Sequence, residues 1–280
     1  MITLTTDFGA DSPYIAAMKA AIFERLPQAI VLDLTHSIAP QNIRQGALVW
    51  HDFTQTFPPE SVHVCVIDPE VGGNRRLVAA RCRNQFFVCP DNGVLTLFLQ
   101  EYTVIEAVEL NKPQFWRSTV SATFHGRDVM SPIAAAIADG VPLDKLGTKI
   151  AVSREHTSIL STNQPLVQIP FSAPIFSHRF WRLEVLYIDP FGNLLLNVAA
   201  DKLIDTVKSQ LSRSSKLRLT TTAGVFFDAK YVATYCHQLP GNVVLLEGSG
   251  GRWEIAIVNG NAAQTLGIAE GDAVTVECFD

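Results

Sequence analysis

ITLTTDFGADSPYIAAMKAAIFERL, residues 2–26, sets the architecture of the first half of the chain. ITLTT is rich in β-branched residues, as a strand is, and DFGADSP supplies turn chemistry. Ser12 stands where a helix cap belongs, Pro13 suits a first helical turn, and Ile15, Met18, Ile22 and Leu26 share one helical face. A strand passed straight to an amphipathic helix is the building unit of an α/β layer. The unit recurs outward from here. IVLDL at 30–34 leads to the helical NIRQGALVWHDF, and VHVCVID at 62–68 starts another strand. LVAARC and FFVCPDNG read as a hairpin-like pair ending in a Pro-Asp-Asn-Gly turn, and SPIAAAIADG at 131–140 as a helix stopped by Gly140. Strands alternating with helices predict a largely parallel sheet.

The character changes between about 150 and 180. HTSILSTNQPLVQIPFSAPIF is rich in Ser, Thr, Pro and Gln and has no helical period. Beyond it WRLEVLYID, GNLLLNV, KLRLTTT, NVVLLEG, RWEIAIV and AVTVECF are short strands separated by turn residues, the pattern of a small β barrel or sandwich. The expected division is an α/β domain over 1–160, a linker over 161–180 and a smaller β domain, barrel or sandwich, over 181–280. The chain of 280 residues carries a net charge of −5 and no dense Lys/Arg block, which argues against nucleic acid as the main partner. No apolar run approaches the roughly 20 residues a membrane span needs, so no membrane partner is expected. MITLTTDFG shows no secretory pattern, and the five cysteines form no CxxC pair. A cytoplasmic protein with ordinary buried thiols is the expectation.

Open α/β sheets bind ligands outside the carboxyl ends of their strands. Asp7, Asp33 and Asp68 fall near the ends of the first three expected strands. One such acid is more often a turn or cap residue; three on one sheet edge, two beside Gly or Pro turns, point to a site. Asp68 opens DPEVGGNRR, a Gly-rich turn whose spacing is neither GxGxxG nor a P-loop. Asp68 and Arg75 on this loop form either a plain surface ion pair or a charge pair aimed at a small molecule. TFHGRD at 123–128 sets His125, Arg127 and Asp128 before a helix: His125 is a candidate acid/base or partner of a bound water, and Asp128 reads as a cap. His36 and His63 add no HxH or HExxH spacing, so no metal is expected. In the second half, YIDPFGNLLLN offers Asp189, Phe191 and Asn193, and GSGGRWEIAIVNGNAA offers Ser249, Arg252, Glu254, Asn259 and Asn261. Amide edges beside an aromatic face suit a purine.

TDFG…DSPYIAAMK, LDLTHSIAPQNIRQGA, VIDPEVGGNRR, CPDNGVL, TFHGRD…PIAAAIADG, IDPFGNLLLN and EIAIVNGNAA together resemble, in order and spacing, the S-adenosylmethionine hydroxide adenosyltransferases. Bacterial fluorinase and chlorinase are relatives of the same fold. The resemblance implies an N-terminal α/β domain, a C-terminal β-barrel domain, and a homotrimer with each site between the first domain of one subunit and the second of its neighbour. It implies S-adenosylmethionine as substrate and no cofactor. By motif, Asp7 would hold the ribose hydroxyls, and Asp68, Arg75 and His125 would handle the attacking water. Asp189 and Asn193 would face the amino-acid portion or nearby polar atoms; Ser249, Glu254 and the loop from Asn259 to Ala262 would lie around methionine and adenine. Glu70 stands where the family has Gly, adding bulk and charge beside Asp68, and Ala17 and Ala20 replace glycines.

The activity so implied is hydrolysis to adenosine and methionine. Methionine departs as a neutral thioether, so the leaving group needs no acid. An aligned, deprotonated or polarised water is what the site must supply. Three other readings stand beside it: a halogenase using chloride or fluoride at C5′, a non-catalytic nucleoside-binding protein, and a metal-dependent phosphoesterase.

Overall fold

The computed structural model describes residues 1–151, 165–177, 180–199, 211 and 216–279. Two compact units divide the chain, Met1–Ile169 and Pro170–Asp280. Of the expected linker, residues 161–164 and 178–179 lie outside the described residues.

In the first unit, β1 (Ile2–Thr6), β2 (Val31–Thr35), β3 (Val62–Val66) and β5 (Gln85–Pro90) run parallel in the order β2-β1-β3-β5. β4 (Leu77–Cys82), β6 (Val104–Glu109) and β7 (Thr148–Lys149) extend this core antiparallel, completing a seven-stranded sheet. β1 is buried along its whole length, as a central parallel strand is. Its threonines must therefore find partners inside, and Thr3 meets His63 Nδ1 at 2.7 Å. α1 (Pro13–Arg25) begins as its sequence indicates: Ser12 Oγ accepts the Tyr14 N–H, Pro13 occupies the first turn, and Ile15, Met18 and Ile22 are buried. α2 (Ile43–Thr54) is capped by Asn42; α3 (Thr96–Glu101), α4 (Ser131–Ala138) and α5 (Leu143–Leu146) follow. β4 and β5 do form a hairpin. Its connecting turn is Arg83-Asn84, both at positive φ, and Pro-Asp-Asn-Gly ends the pair after β5 and leads into α3. Cys65, Cys82 and Cys89 are buried free thiols on β3, β4 and β5.

The second unit closes into a barrel. β9 (Phe180–Ile188), β10 (Leu194–Ala199), β11 (Lys216–Thr221), β12 (Phe226–Tyr231), β13 (Val243–Glu247), β14 (Arg252–Ile257) and β15 (Ala273–Phe279) pair in the order β10-β14-β13-β12-β11-β15-β9, and β9 pairs back to β10. The short β8 (Ile175–Phe176) adds to β9. Alternate residues of β10 and β15 face inward and join Trp181, Leu219, Trp253 and Ile255 in one core. α6 (Ala262–Leu266) contributes Ala262 and Leu266 to that core. β12 has no counterpart among the strands read from sequence. Among the described residues no helix is long and apolar enough to cross a membrane.

Candidate active site

β1 and β3 lie side by side with Thr6 opposite Val66, so Asp7 and Asp68 leave the sheet at the same carboxyl edge. The chain after Asp68 turns back at Gly72, whose φ is +80°, and a Cβ there would stand 2.4 Å from the Ala122 carbonyl oxygen. Glycine alone lets this loop lie against the backbone that precedes His125. The result is a row of three side chains. Arg75 Nε lies 2.9 Å from Asp68 Oδ1, and Nη2 lies 2.5 Å from Oδ2. The same Nη2 reaches His125 Nδ1 at 2.9 Å. Arg75 and Asp68 are each only 4% exposed. A guanidinium has donors and no acceptor, so Nδ1 accepts and the imidazole proton sits on Nε2. Burial, then the Arg75 charge, hold the His125 pKa below its ordinary value despite Asp68 and Asp128. Carboxylate, guanidinium and neutral imidazole thus stand in a fixed sequence. Glu70 is exposed on the turn.

His125 immediately precedes a π-helical turn, Gly126–Met130, that runs directly into α4. Such turns widen a helix locally and occur often at functional sites. A Cβ on Gly126 would come within 3.0 Å of Val66 Cγ1, so a glycine is what lets the turn rest on β3. Asp128 is not the helix cap expected of it. Its Oδ2 accepts the Ser121 N–H at 2.9 Å, and Arg127 forks onto both oxygens at 2.7 and 2.8 Å. It anchors the 117–121 loop instead. Phe8, next to Asp7 in sequence, Phe124, next to His125, and Tyr14 form a triangle of edge-on rings with centroids 5.2 to 6.0 Å apart.

Asp7 Oδ2 accepts the Gln41 N–H at 2.7 Å. Asp33 stands further back, opposite Leu4 within the β1–β2 pairing, and ion-pairs with Lys19 at 2.6 Å. His63 is a core residue whose pKa burial lowers to about 3. Among the described residues no three His, Cys, Asp or Glu side chains form a group able to hold a metal ion.

In the barrel unit, Asp189 heads the β9–β10 turn. Its Oδ1 accepts the N–H groups of Phe191 and Asn193 at 2.9 and 2.8 Å, and its Oδ2 accepts Asn193 Nδ2 at 3.0 Å. The two residues lock one another in place. Glu254 on β14 is buried and accepts the Tyr235 hydroxyl. Burial raises the Glu254 pKa, with Asp189 adding to the effect and Tyr235 opposing it. Burial and the Glu254 carboxyl likewise push the Tyr235 phenol up. The sequence reading does not single out Tyr235, since only the pairing of β12, β13 and β14 brings it to Glu254. Ser249 and Asn259 are exposed in turns, the latter at φ +52°. Asn261 caps α6, accepting the Gln264 N–H at 2.8 Å. The Ala262 side chain is in the core, leaving only its backbone to meet a ligand.

Comparison with known proteins agrees with both units. Residues 2–147 match the SAM hydroxide adenosyltransferase N-terminal domain and residues 183–275 the C-terminal domain. The (R)-S-adenosyl-L-methionine hydrolase of Salinispora arenicola is 34% identical, with 98% of this chain and 97% of that protein covered. The protein of the same name from Methanocaldococcus jannaschii is 30% identical over 99% and 95%. A fluorinase from Actinoplanes is 24% identical over 89% and 88%. The crystal structure of an uncharacterised conserved protein from Thermotoga maritima superposes with a TM-score of 0.89 at 30% identity, covering all of both chains. Matched in both units and along its full length, the chain belongs to the SAM hydroxide adenosyltransferase family.

Proposed function

We propose that this chain hydrolyses S-adenosyl-L-methionine to adenosine and L-methionine by attack of a water-derived oxygen at C5′. The observation that carries this reading is the row Asp68–Arg75–His125, half-buried, charge-balanced and fixed by three short contacts. As the O–C5′ bond forms, the C5′–S bond breaks and its electron pair neutralises the sulfonium. Substrate cation plus water gives adenosine, methionine and one proton. Arg75 stabilises the growing hydroxide character of the nucleophile. His125, with its proton on Nε2, donates to the water oxygen and orients it, and the Asp68 carboxylate takes the proton that leaves. Alignment of this kind supplies up to about 7–11 kcal/mol in favourable cases.

Asp7 holds the ribose hydroxyls. Asp189 and Asn193 face the amino-acid portion, and Ser249, Glu254, Asn259 and the Ala262 backbone surround methionine and adenine. The proposed assembly is a homotrimer whose sites each join the first unit of one subunit to the barrel of its neighbour, with residues 161–180 linking the units. The protein works in the cytoplasm, without a cofactor. The named hydrolase relatives act on the (R) sulfonium epimer, by their names, and the same epimer is proposed here.

The test is incubation of the purified chain with each sulfonium epimer, with and without chloride, and with and without a chelator. Equal amounts of adenosine and methionine, indifferent to chloride and chelator, support the proposal. 5′-Chloro-5′-deoxyadenosine would make it a halogenase. Binding without turnover would make it a nucleoside-binding protein, and chelator sensitivity would contradict the metal-free mechanism.

A further inference from the structure

We propose that His36 is a positioning residue for the substrate ribose, acting through Thr6 on the loop that carries Asp7. The inference rests on the ribose role proposed for Asp7 and identifies what fixes that carboxylate. His36 follows the end of β2, is 7% exposed, and takes no part in the reaction described above. Its Nδ1 lies 2.9 Å from Thr6 Oγ1. Its Nε2 lies 3.0 Å from Asp33 Oδ1, a contact bent away from the N–H direction. Asp33 is also held by Lys19, and although burial works to raise its pKa, Lys19 and His36 leave it lowered.

Thr6 Oγ1 also accepts the Phe8 N–H at 3.2 Å. One arrangement of protons accounts for every group in this chain. Phe8 N–H donates to Thr6, the Thr6 hydroxyl donates to His36 Nδ1, and His36 Nε2–H faces a carboxylate neutralised by Lys19. Thr6 is fully buried, so a hydroxyl deprived of its partner there is costly. The residues on either side of Asp7 are therefore both tied to His36.

The loop is held from its other side as well. Gly9 N–H donates to the His36 carbonyl at 2.9 Å, and Gln41 N–H donates to Asp7 Oδ2 at 2.7 Å. Gln41 achieves this at φ +64°, a conformation that costs a non-glycine residue energy and is kept where something requires it. Asp7 is thereby fixed at one oxygen, with Oδ1 left to meet a ribose hydroxyl. Removing His36 frees the Thr6 hydroxyl and slackens residues 6–9. Ribose contacts serve ground state and transition state alike, so KM suffers and kcat is spared.

The experiment measures the adenosine Kd by calorimetry, and KM and kcat with the sulfonium substrate. It compares wild type, Asp7→Ala, Thr6→Val, His36→Leu, His36→Asn and the Thr6→Val/His36→Leu double variant. Thr6→Val and His36→Leu are each expected to raise Kd and KM about fivefold, the worth of one uncharged hydrogen bond. His36→Asn, which keeps an acceptor near the Nδ1 place, is expected to restore both. The double variant should lose no more than either single one, because both act through one bond. Additive losses, an effect on kcat instead of KM, or no rescue by His36→Asn would overturn the proposal. If His36→Leu does not fold, Thr6→Val, which keeps the buried side chain's shape, and His36→Asn decide the matter. If Asp7→Ala leaves the adenosine Kd unchanged, the ribose reading falls and this inference with it. If Asp7→Ala weakens binding while Thr6→Val does not, this inference alone falls.

Discussion

Arg75 is the residue on which the proposed chemistry turns. It forks onto Asp68 and donates to His125, and in the proposed reaction its charge would stand next to a developing hydroxide. Arg75→Ala is expected to lower kcat by about 10²–10³, the usual loss of one transition-state donor, with a much smaller change in KM. Arg75→Lys should recover little, since an ammonium cannot reproduce the fork that spans two partners. A variant with normal kcat would remove Arg75 from the mechanism. The pH profile follows from the tautomer. Protonation of His125 at Nδ1 would expel the Arg75 N–H, so activity requires the neutral ring. Its pKa is lowered, so the acid limb of kcat should fall below pH 6.5, with a plateau above. An acid limb above 6.5 would contradict the assignment. Asp68, Arg75 and His125 were legible because DPEVGGNRR and FHGRD are dense with chemistry. The tautomer was not legible, for it depends on one nitrogen–nitrogen distance. Nor was Tyr235, which lies in an unremarkable stretch and reaches Glu254 only through folding.

At the scale of elements, the site is made by backbone that approaches backbone. Gly72→Ala would set a Cβ against the Ala122 carbonyl and strain a φ of +80°. It should lower kcat and shift thermal unfolding of the first unit, and an unchanged kcat would show that this approach does not position Arg75. β1 and β3 make a second prediction. His63 sits opposite Thr3, and its pKa falls from 6.5 to about 3 on folding. The unfolded chain then binds the proton more readily than the folded one. Stability from this group is full above about pH 6.5 and declines as pH falls toward about 3, by at most about 1.4 kcal/mol per unit. Urea unfolding across that range should show the slope, and His63→Asn should flatten it. An identical slope in the variant would assign it elsewhere. α1, α2 and α4 and the strands β1 to β3 were readable from periodicity, caps and turn residues, while the short α3 and α5 were not. The π-helical turn was not, because GRDVM carries no period of its own, and Asp128 was misread as a cap because its partner, Ser121, is set by the loop's return. β12 escaped because FFDAKY follows a turn with no clean alternation, and Phe226 is exposed.

The whole molecule was legible as two units because an α/β rhythm gives way to short strands. Barrel closure was legible only through the family resemblance, since pairing β9 back to β10 leaves no mark in the strand pattern that distinguishes a barrel from a sandwich. The proposed assembly makes its prediction at this scale. A homotrimer should sediment at the mass of three chains, and mixed trimers of Arg75→Ala and Glu254→Ala chains should recover part of the activity that either variant lacks, because some sites would pair an intact first unit with an intact neighbouring barrel. No recovery on mixing would place each site within one chain. The most direct test of the chemistry itself is turnover in water enriched in heavy oxygen. Attack at C5′ by solvent predicts adenosine carrying the label at its 5′-oxygen and methionine carrying none. Adenosine without label, or a halogenated nucleoside in its place, would contradict the account.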